Sequence, residues 1–212
     1  MQLPNSKEKV LQKIREALVK PSDKPFGDET IVDNYFQPST KELEIEFAEN
    51  FIQLQGKFVY CSSFSNMQEQ LLQLLALKNY TKIVCKELHL QQQFIANGFN
   101  GINNNNKVDD CDVAITSCEQ LIARTGSILL SSANESGRTT SVYTPIHICI
   151  AYSHQLVYDI SHGLQNIKEK YKQQLPSVIS LATGPSRTAD IEKTLVVGVH
   201  GPKEVYCFLI DE

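Results

Sequence analysis

The stretch VISLATGPSRTADIE, residues 178–192, predicts a strand, a turn and the start of a helix, the repeating unit of an α/β fold. Its first six residues are mostly apolar, which is typical of a buried strand. Gly184 and Pro185 interrupt the strand, and Ser186 and Thr188 are residue types that cap helices. This geometry exposes free backbone N–H groups, which attract anions.

Polar groups are concentrated in this turn. Arg187 carries a permanent positive charge in a planar fork that suits a carboxylate or a phosphate. An alternative is a capped helix start in which Arg187 forms a structural ion pair. The ligand-binding residues predicted in this segment are Gly184, Ser186, Arg187, Thr188 and Asp190.

The segment GVHGP, residues 198–202, follows closely and places His200 in a tight turn. A histidine held in this way can exchange protons near neutral pH. We predict His200 as a catalytic residue, together with Glu192 as an acid or base or as a group that orients Arg187. The alternative for His200 is a turn residue bonded only to the backbone.

Two further polar turns are candidates for the same site. Thr125, Gly126 and Ser127 lie between two short apolar segments, and Arg138 lies in a loop rich in glycine and serine that could close over a ligand. We predict all four as ligand-binding residues. A hairpin turn and a solvated arginine explain the same residues without a ligand.

Apolar segments with helical spacing between them continue in both directions. Alternating strands and helices predict an α/β fold with a mainly parallel mixed sheet and helices on both faces. Around residues 123–132 the spacing is too short for a crossover helix, so we expect an antiparallel segment there. The predicted strands are KFVYC (57–61), KIVC (82–85), DVAIT (112–116), LIA (121–123), SILLS (127–131), IHICIAY (146–152), VISLAT (178–183) and EVYCFLID (204–211).

The first part of the chain differs in pattern from the rest. Apolar residues from Val10 to Leu18 follow helical spacing, and three prolines in residues 21–38 indicate an extended arm. Tyr35 and Phe36 could attach this arm to the core or to a second subunit, which leaves a homo-oligomer open. We therefore predict a helix and arm over residues 1–44 and an α/β domain over 45–212.

Composition limits the classes of partner. The 212 residues are 42 % hydrophobic and carry a formal net charge of −4, so no general attraction to nucleic acid or anionic membrane is expected. No apolar run approaches the roughly 20 residues that span a bilayer, and the first residues lack a signal-peptide pattern. We expect a cytoplasmic protein.

Motifs for metals and cofactors are missing from the sequence. None of the six cysteines forms a C-x-x-C pair, and we expect reduced core thiols, with Cys111 and Cys118, seven residues apart, as the weak exception. Neither a zinc-type histidine motif nor a dinucleotide or P-loop glycine motif occurs, so no metal and no cofactor are predicted. His147, inside the segment IHICIAY, is expected to be a satisfied core histidine rather than a ligand.

Several of these motifs together resemble the lactate-utilisation (LUD) domain family: TGS at 125–127, SGR at 136–138, Pro145 with His147, GPSRTADIE and GVHGP. The resemblance covers about residues 45–212 and is strongest after Asp112. It implies an α/β fold similar to the sugar-phosphate isomerase and coenzyme A transferase group. It also implies a role with two iron–sulfur partner proteins in oxidising L-lactate to pyruvate. Arg124 stands where many relatives carry an acidic residue, which would change the charge of the pocket.

Three functions fit these residues, and they leave open whether the chain is itself an enzyme. The leading one is an accessory or substrate-binding subunit of a lactate-oxidising system. In it a small carboxylate meets Ser186 and Arg187 while His200 contacts its hydroxyl or oxo group. The second is a stand-alone enzyme acting on a phosphorylated or acyl metabolite, suggested by fold analogy alone. The third is a non-catalytic scaffold that docks through residues 1–38.

Overall fold

The computed structural model describes residues 6–19, 40–104, 107–191 and 194–211. Its contacts divide the chain into two units, Met1–Pro38 and Ser39–Glu212. In the first unit, helix α1 spans Ser6–Val19, which confirms the N-terminal helix. The predicted arm, with Tyr35 and Phe36, lies outside the described residues. The division predicted between residues 44 and 45 falls inside the first turn of the next helix and stays a prediction.

The second unit contains helices and strands in alternation. Its helices are α2 (Leu43–Gln53), α3 (Phe64–Lys78), α4 (Leu88–Ala96), α5 (Thr140–Tyr143) and α6 (Ile160–Tyr171). Its strands are β1 (Lys57–Cys61), β2 (Ile83–Val84), β3 (Val113–Thr116), β4 (Gln120–Ile122), β5 (Ser127–Ser131), β6 (Ile146–Tyr152), β7 (Leu156–Val157), β8 (Ile179–Ala182), β9 (Arg187–Ile191), β10 (Thr194–Val197) and β11 (Glu204–Ile210).

The central sheet has five strands in the order β1-β11-β6-β3-β2, and every pair in it is parallel. Strands β6 and β11 lie in its middle and are buried on both faces almost throughout. Such strands have nearly continuous apolar sequences, which is why they could be predicted. The α/β class is confirmed.

A second sheet has the order β7-β4-β5-β8, and β4 and β5 form the antiparallel hairpin predicted around residues 123–132. Strand β8 pairs antiparallel with β5 at the edge of this sheet. The prediction of one mixed sheet is therefore wrong, because the antiparallel strands form a separate sheet. Similarity to the sugar-phosphate isomerase and coenzyme A transferase group stays a prediction.

The two sheets and the helices form layers. Helices α3 and α4 cover one face of the parallel sheet through a large apolar cluster. Helix α2 and the second sheet cover the other face, where Phe47 and Phe51 pack against residues of β11. Helix α6 covers the far face of the second sheet through Ile167. Helices thus lie on both faces of the parallel sheet, as predicted.

The segment after Pro185 is a strand, and the helix start predicted there is wrong. Strand β9 pairs antiparallel with β10, with Val196 opposite Thr188 and Val197 opposite Arg187. The β-branched residues of both strands favour this conformation, and pairing across the hairpin uses backbone N–H groups that a helix start would leave free. An anion site at a helix N-terminus therefore does not exist here.

The strand before this turn is also less buried than expected. Strand β8 is an edge strand of the second sheet, and Leu181 in it is exposed. Among the described residues, no helix has the length and apolar character needed to cross a bilayer.

Candidate functional site

The turn at Ser186 and the turn at His200 are in direct contact. The backbone N–H of Ser186 donates to the carbonyl of Pro202 at 2.9 Å, and the N–H of Gly198 donates to the carbonyl of Ser186 at 2.9 Å. A Cβ on Gly201 would lie 2.8 Å from the Cβ of Ser186, so only glycine permits this approach. The two motifs singled out in the sequence thus form one structure.

A cavity of about 280 Å³ opens beside these turns, between the parallel sheet and the second sheet. We call it the histidine cavity. Its walls are His147 of β6, Leu130 of β5, residues 180–182 of β8, Ser141 and Val142 of α5, and the turns 183–186 and 200–202. Gly184, Ser186 and His200 therefore meet in one cavity, whereas the ligand-binding and catalytic roles predicted for them stay predictions.

His147 forms the most buried polar part of this wall, with 1 % of its surface exposed. Its Nε2 lies 2.9 Å from Thr116 Oγ1, and the Thr116 hydroxyl donates to the carbonyl of Ser117. If the single Thr116 proton is used in that bond, Oγ1 can only accept from His147, and Nε2 then carries the ring proton. Nδ1 is then a bare acceptor, and it has no partner among the described residues.

Burial also lowers the pKa of His147 to about 4, so the ring is neutral near neutral pH. The expectation of a buried histidine is confirmed, but that of a satisfied one is wrong. Only one of its two nitrogens is hydrogen-bonded, and the residue also belongs to the wall of the cavity.

An adjoining cavity of about 370 Å³ shares Val142, His200 and Gly201 with the first and adds Lys203. His200 is exposed and belongs to both walls. No carboxylate occurs among the described residues of either wall, and Lys203 contributes a positive charge. Sequence reasoning missed Lys203, although it lies only three residues after His200.

The TGS turn reaches the histidine cavity through one neighbour. The Ser127 hydroxyl lies 2.8 Å from Thr125 Oγ1 and 2.9 Å from Thr183 Oγ1, and Thr183 lines the cavity. Thr125 and Ser127 therefore support the wall from behind. This hydroxyl chain fixes the orientation of Thr183.

Gly126 and Gly184 have a structural reason to be glycine. Gly126 has φ +56°, and a Cβ there would lie 2.5 Å from the backbone nitrogen of Phe51 in α2. Gly184 has φ +80°, and its Cβ would lie 2.3 Å from the Leu54 carbonyl oxygen. Both turns thus pack directly against the end of α2, which holds the cavity wall in place.

The segment from Arg187 onward leaves the cavity. The exposed guanidinium of Arg187 donates to the carbonyl of Leu54 at 3.2 Å, and Arg187 is not among the described residues that line the cavity. Thr188 and Asp190 lie in β9, and Glu192 lies outside the described residues. Their predicted roles stay predictions.

Arg138 and Arg124 are held by other partners. Arg138 donates to the Ser177 hydroxyl near the start of β8. Arg124 forms an ion pair with Asp159, the N-cap of α6, through Nε at 2.5 Å from Oδ2. Burial acts to raise the pKa of Asp159, but hydrogen bonds from Ser161 and Arg124 outweigh it and lower that pKa. Neither arginine lines the histidine cavity among the described residues.

A separate cleft of about 470 Å³ lies beside Glu87, a residue that sequence reasoning also missed. Glu87 is 2 % exposed, and both its oxygens accept from the backbone N–H of Ser117 at 3.0 and 3.1 Å. The Ser136 hydroxyl donates to Oε1 at 2.7 Å. Ser136 of the SGR motif thus stabilises a buried carboxylate.

All six cysteines are free and buried, which confirms the prediction of core thiols and includes the two set apart, Cys111 and Cys118. Burial raises the pKa of Cys61 to about 11 and that of Cys85 to about 12, so both thiols are protonated at neutral pH. The described part of the chain contains no group of three or more histidine, cysteine or acidic residues that could hold a metal ion.

These features define an α/β protein in which a cavity with no carboxylate among its described lining residues lies between a parallel sheet and a smaller mixed one. The chain belongs to the LUD domain family, whose profile matches residues 45–210. That match confirms the resemblance found in the motifs.

Curated relatives carry the name Lactate utilization protein C. The one from Halalkalibacterium halodurans is 36 % identical over 108 residues, which are 50 % of this chain and 46 % of that protein. Such alignments thus span about half the length of these relatives. The one from Anoxybacillus flavithermus is 26 % identical over 211 residues, which cover 93 % of both chains.

A crystal structure of a DUF162 family protein from Deinococcus radiodurans has a similar fold. The TM-score is 0.59 at 17 % identity, and the match covers 82 % of this chain and 99 % of that one. At this identity the likeness shows the fold alone.

Proposed function

We propose that this chain is a substrate-binding subunit of a lactate-oxidising system and that it binds a small carboxylate in the histidine cavity. The proposal is supported by membership of the LUD domain family and by relatives named Lactate utilization protein C. The single observation that carries the binding site is the cavity itself. The two motifs singled out in the sequence, at residues 184–186 and 200–202, supply part of its walls, and no acidic residue lines it among those described.

The size and charge of the cavity suit a small anion. Ligand pockets for drug-sized molecules have volumes of about 300–1,000 Å³, and this one, at about 280 Å³, fits a smaller compound. Ser141, Ser180, Thr183 and Ser186 contribute hydroxyl donors to its wall. A carboxylate bound among them lies next to the cavity that holds Lys203, where a positive charge favours it.

The remaining predicted residues act around this site. Arg187 follows directly after Ser186 of the wall, and its guanidinium, which donates to the carbonyl of Leu54, adds positive charge outside the cavity. His200 lies between the two cavities and contacts the bound acid or exchanges a proton with it. Thr125, Gly126 and Ser127 hold Thr183 in place.

The redox step requires a partner. Oxidation of L-lactate to pyruvate removes two electrons and two protons, and in our proposal an iron–sulfur partner protein accepts the electrons. The chain contributes binding and orientation of the acid in the cytoplasm. Whether it also moves a proton depends on His200.

The full chain allows a direct test by calorimetric titration with L-lactate, pyruvate and propionate. We expect at least one of these acids to bind at millimolar concentration and to raise the melting temperature. Replacing Ser186 by valine fills the wall and removes a hydroxyl, and Lys203→Ala removes the neighbouring charge, so both weaken binding. Absence of heat and of any shift with all three acids would contradict the proposal.

A matched control separates local from general charge effects. Lys168 is an exposed lysine on α6, remote from both cavity walls. Lys168→Ala changes the net charge as Lys203→Ala does, and we expect it to leave the affinity unchanged. Equal loss in both variants would show that only the overall charge matters.

A further inference from the structure

We infer that His147 makes the histidine cavity selective for acids that carry a hydroxyl group, so that a 2-hydroxy acid binds more tightly than the corresponding 2-oxo acid. This inference rests on the proposed function for the location of the ligand. It adds the chemical group that the cavity recognises and the residue that recognises it.

The argument starts from the hydrogen bonds behind the ring. Thr116 donates its only hydroxyl proton to the carbonyl of Ser117, so it must accept from His147 Nε2 at 2.9 Å. The proton of the imidazole is thereby fixed on Nε2, and Nδ1 presents a lone pair. Two bonds within the protein thus determine what the ring offers to the cavity.

The second step is that a buried acceptor without a hydrogen bond destabilises the protein, so a donor that pairs with it is favoured. Nδ1 is buried and has no hydrogen-bond partner among the described residues, although buried polar atoms are normally paired. The ring belongs to a cavity wall, so a partner can come from a bound molecule. An acceptor of this kind is satisfied only by a donor.

The third step compares the candidate ligands. The C2 hydroxyl of lactate can donate to Nδ1, whereas the C2 oxygen of pyruvate only accepts and would place two lone pairs opposite each other. Propionate has no oxygen at C2 and leaves Nδ1 unpaired. A site built to hydrogen-bond a hydroxyl discriminates strongly against analogues that lack it.

The experiment measures dissociation constants of L-lactate, pyruvate and propionate for the full chain by calorimetry. We expect lactate to bind about tenfold more tightly than either analogue, which corresponds to one hydrogen bond. His147→Phe keeps a planar ring without an acceptor, and it should bring the three constants close together while propionate binding is retained. Equal affinity for the three acids in the unmodified protein would overturn the inference.

The outcomes distinguish the inference from the proposed function. If none of the acids binds, the proposed function fails and the inference fails with it. If all bind but without preference for lactate, the carboxylate site stands and the selectivity by His147 is wrong. A preference that survives in His147→Phe also overturns the assignment, and the unmodified protein decides the matter if that variant does not fold.

Discussion

Glu87 and His147 are both buried polar residues in the wall of a cavity, yet their surroundings differ. Glu87 accepts hydrogen bonds from Ser117 and Ser136 on its two oxygens. His147 is bonded at Nε2 and bare at Nδ1. A buried group whose bonds are all made inside the protein stabilises the fold, whereas one left half-paired beside a cavity is available to a ligand.

The two residues are hydrogen-bonded to consecutive residues of the chain: Glu87 accepts from Ser117, and His147 is hydrogen-bonded to Thr116, directly before Ser117. Glu87 and Ser117 follow the carboxyl ends of β2 and β3, the edge at which open α/β sheets usually bind ligands. His147 lies near the amino end of β6, beside the turn that precedes β11. The unpaired Nδ1 of His147, rather than the position of either residue in the sheet, therefore directs us to the histidine cavity.

Removal of the Glu87 carboxylate should have the largest effect on stability. In Glu87→Ala the buried donors of Ser117 and Ser136 lose their acceptor, which we expect to lower the free energy of unfolding by about 4 kcal/mol. Urea denaturation measures this loss. Glu169→Ala, at an exposed site on α6, is the control and should stay within about 0.5 kcal/mol of the unmodified protein. Similar stability of the two variants would show that Glu87 is not a structural group.

Acid should destabilise the protein through His147. Its pKa is about 4 in the folded chain and near 6.5 when unfolded, so between these pH values only the unfolded state binds the proton. The contribution of neutral His147 to the free energy of unfolding is therefore complete above pH 6.5. It is lost as the pH falls towards 4, by about 3 kcal/mol at most.

The unmodified protein and His147→Phe are compared at each pH, since their carboxylates titrate alike and cancel in the difference. His200 is the other titratable group among the described residues of the cavity wall, and it is present in both proteins. Parallel stability curves from pH 7 to pH 4 would contradict the buried neutral ring.

Loss of the Thr116 hydroxyl, which accepts from His147 Nε2, should lower the free energy of unfolding less than the changes at Glu87 and His147. Thr116→Val keeps the shape of the side chain but leaves the Nε2 proton unpaired, which costs about 2 kcal/mol. It should also weaken the preference for lactate, because the proton is no longer fixed on Nε2. Thr139→Val, at an exposed threonine, serves as the control in thermal unfolding. An unchanged lactate preference in Thr116→Val would argue against the positioning role.

Of these substitutions, Arg124→Ala should lower the free energy of unfolding least. Its ion pair with Asp159 involves side chains that are 21 % and 19 % exposed, so Arg124→Ala should cost about 1 kcal/mol or less. A double-mutant cycle with Asp159→Asn isolates the pair. Carboxylate affinity should not change, because Arg124 is held at α6. A loss of affinity without loss of stability would place Arg124 in the site after all.

The buried strands were predictable because burial on both faces leaves a continuous apolar pattern. IHICIAY became β6 without change, and EVYCFLID became β11 apart from its last residue. The hairpin of β9 and β10 was not predictable in this way. Ser186 and Thr188 are also residue types that cap helices, and pairing across the turn, which is not a local property, decides the outcome.

The candidate site was likewise only partly predictable from the sequence. Motif chemistry identified Gly184, Ser186 and His200, which the structure brings to one cavity. It placed Arg187 at a helix start that does not exist. The bare nitrogen of His147 could not be inferred from the sequence, because it depends on the direction in which the Thr116 hydroxyl points.

Nitrogen-15 NMR of the His147 ring in the full chain tests the central claim most directly. The account predicts a protonated Nε2 and an unprotonated Nδ1 at neutral pH. It also predicts that the Nδ1 resonance shifts on addition of L-lactate, as expected for a nitrogen that accepts a hydrogen bond, and shifts far less with pyruvate. A proton on Nδ1 in the free protein, or a resonance that saturating lactate leaves unmoved, would contradict it.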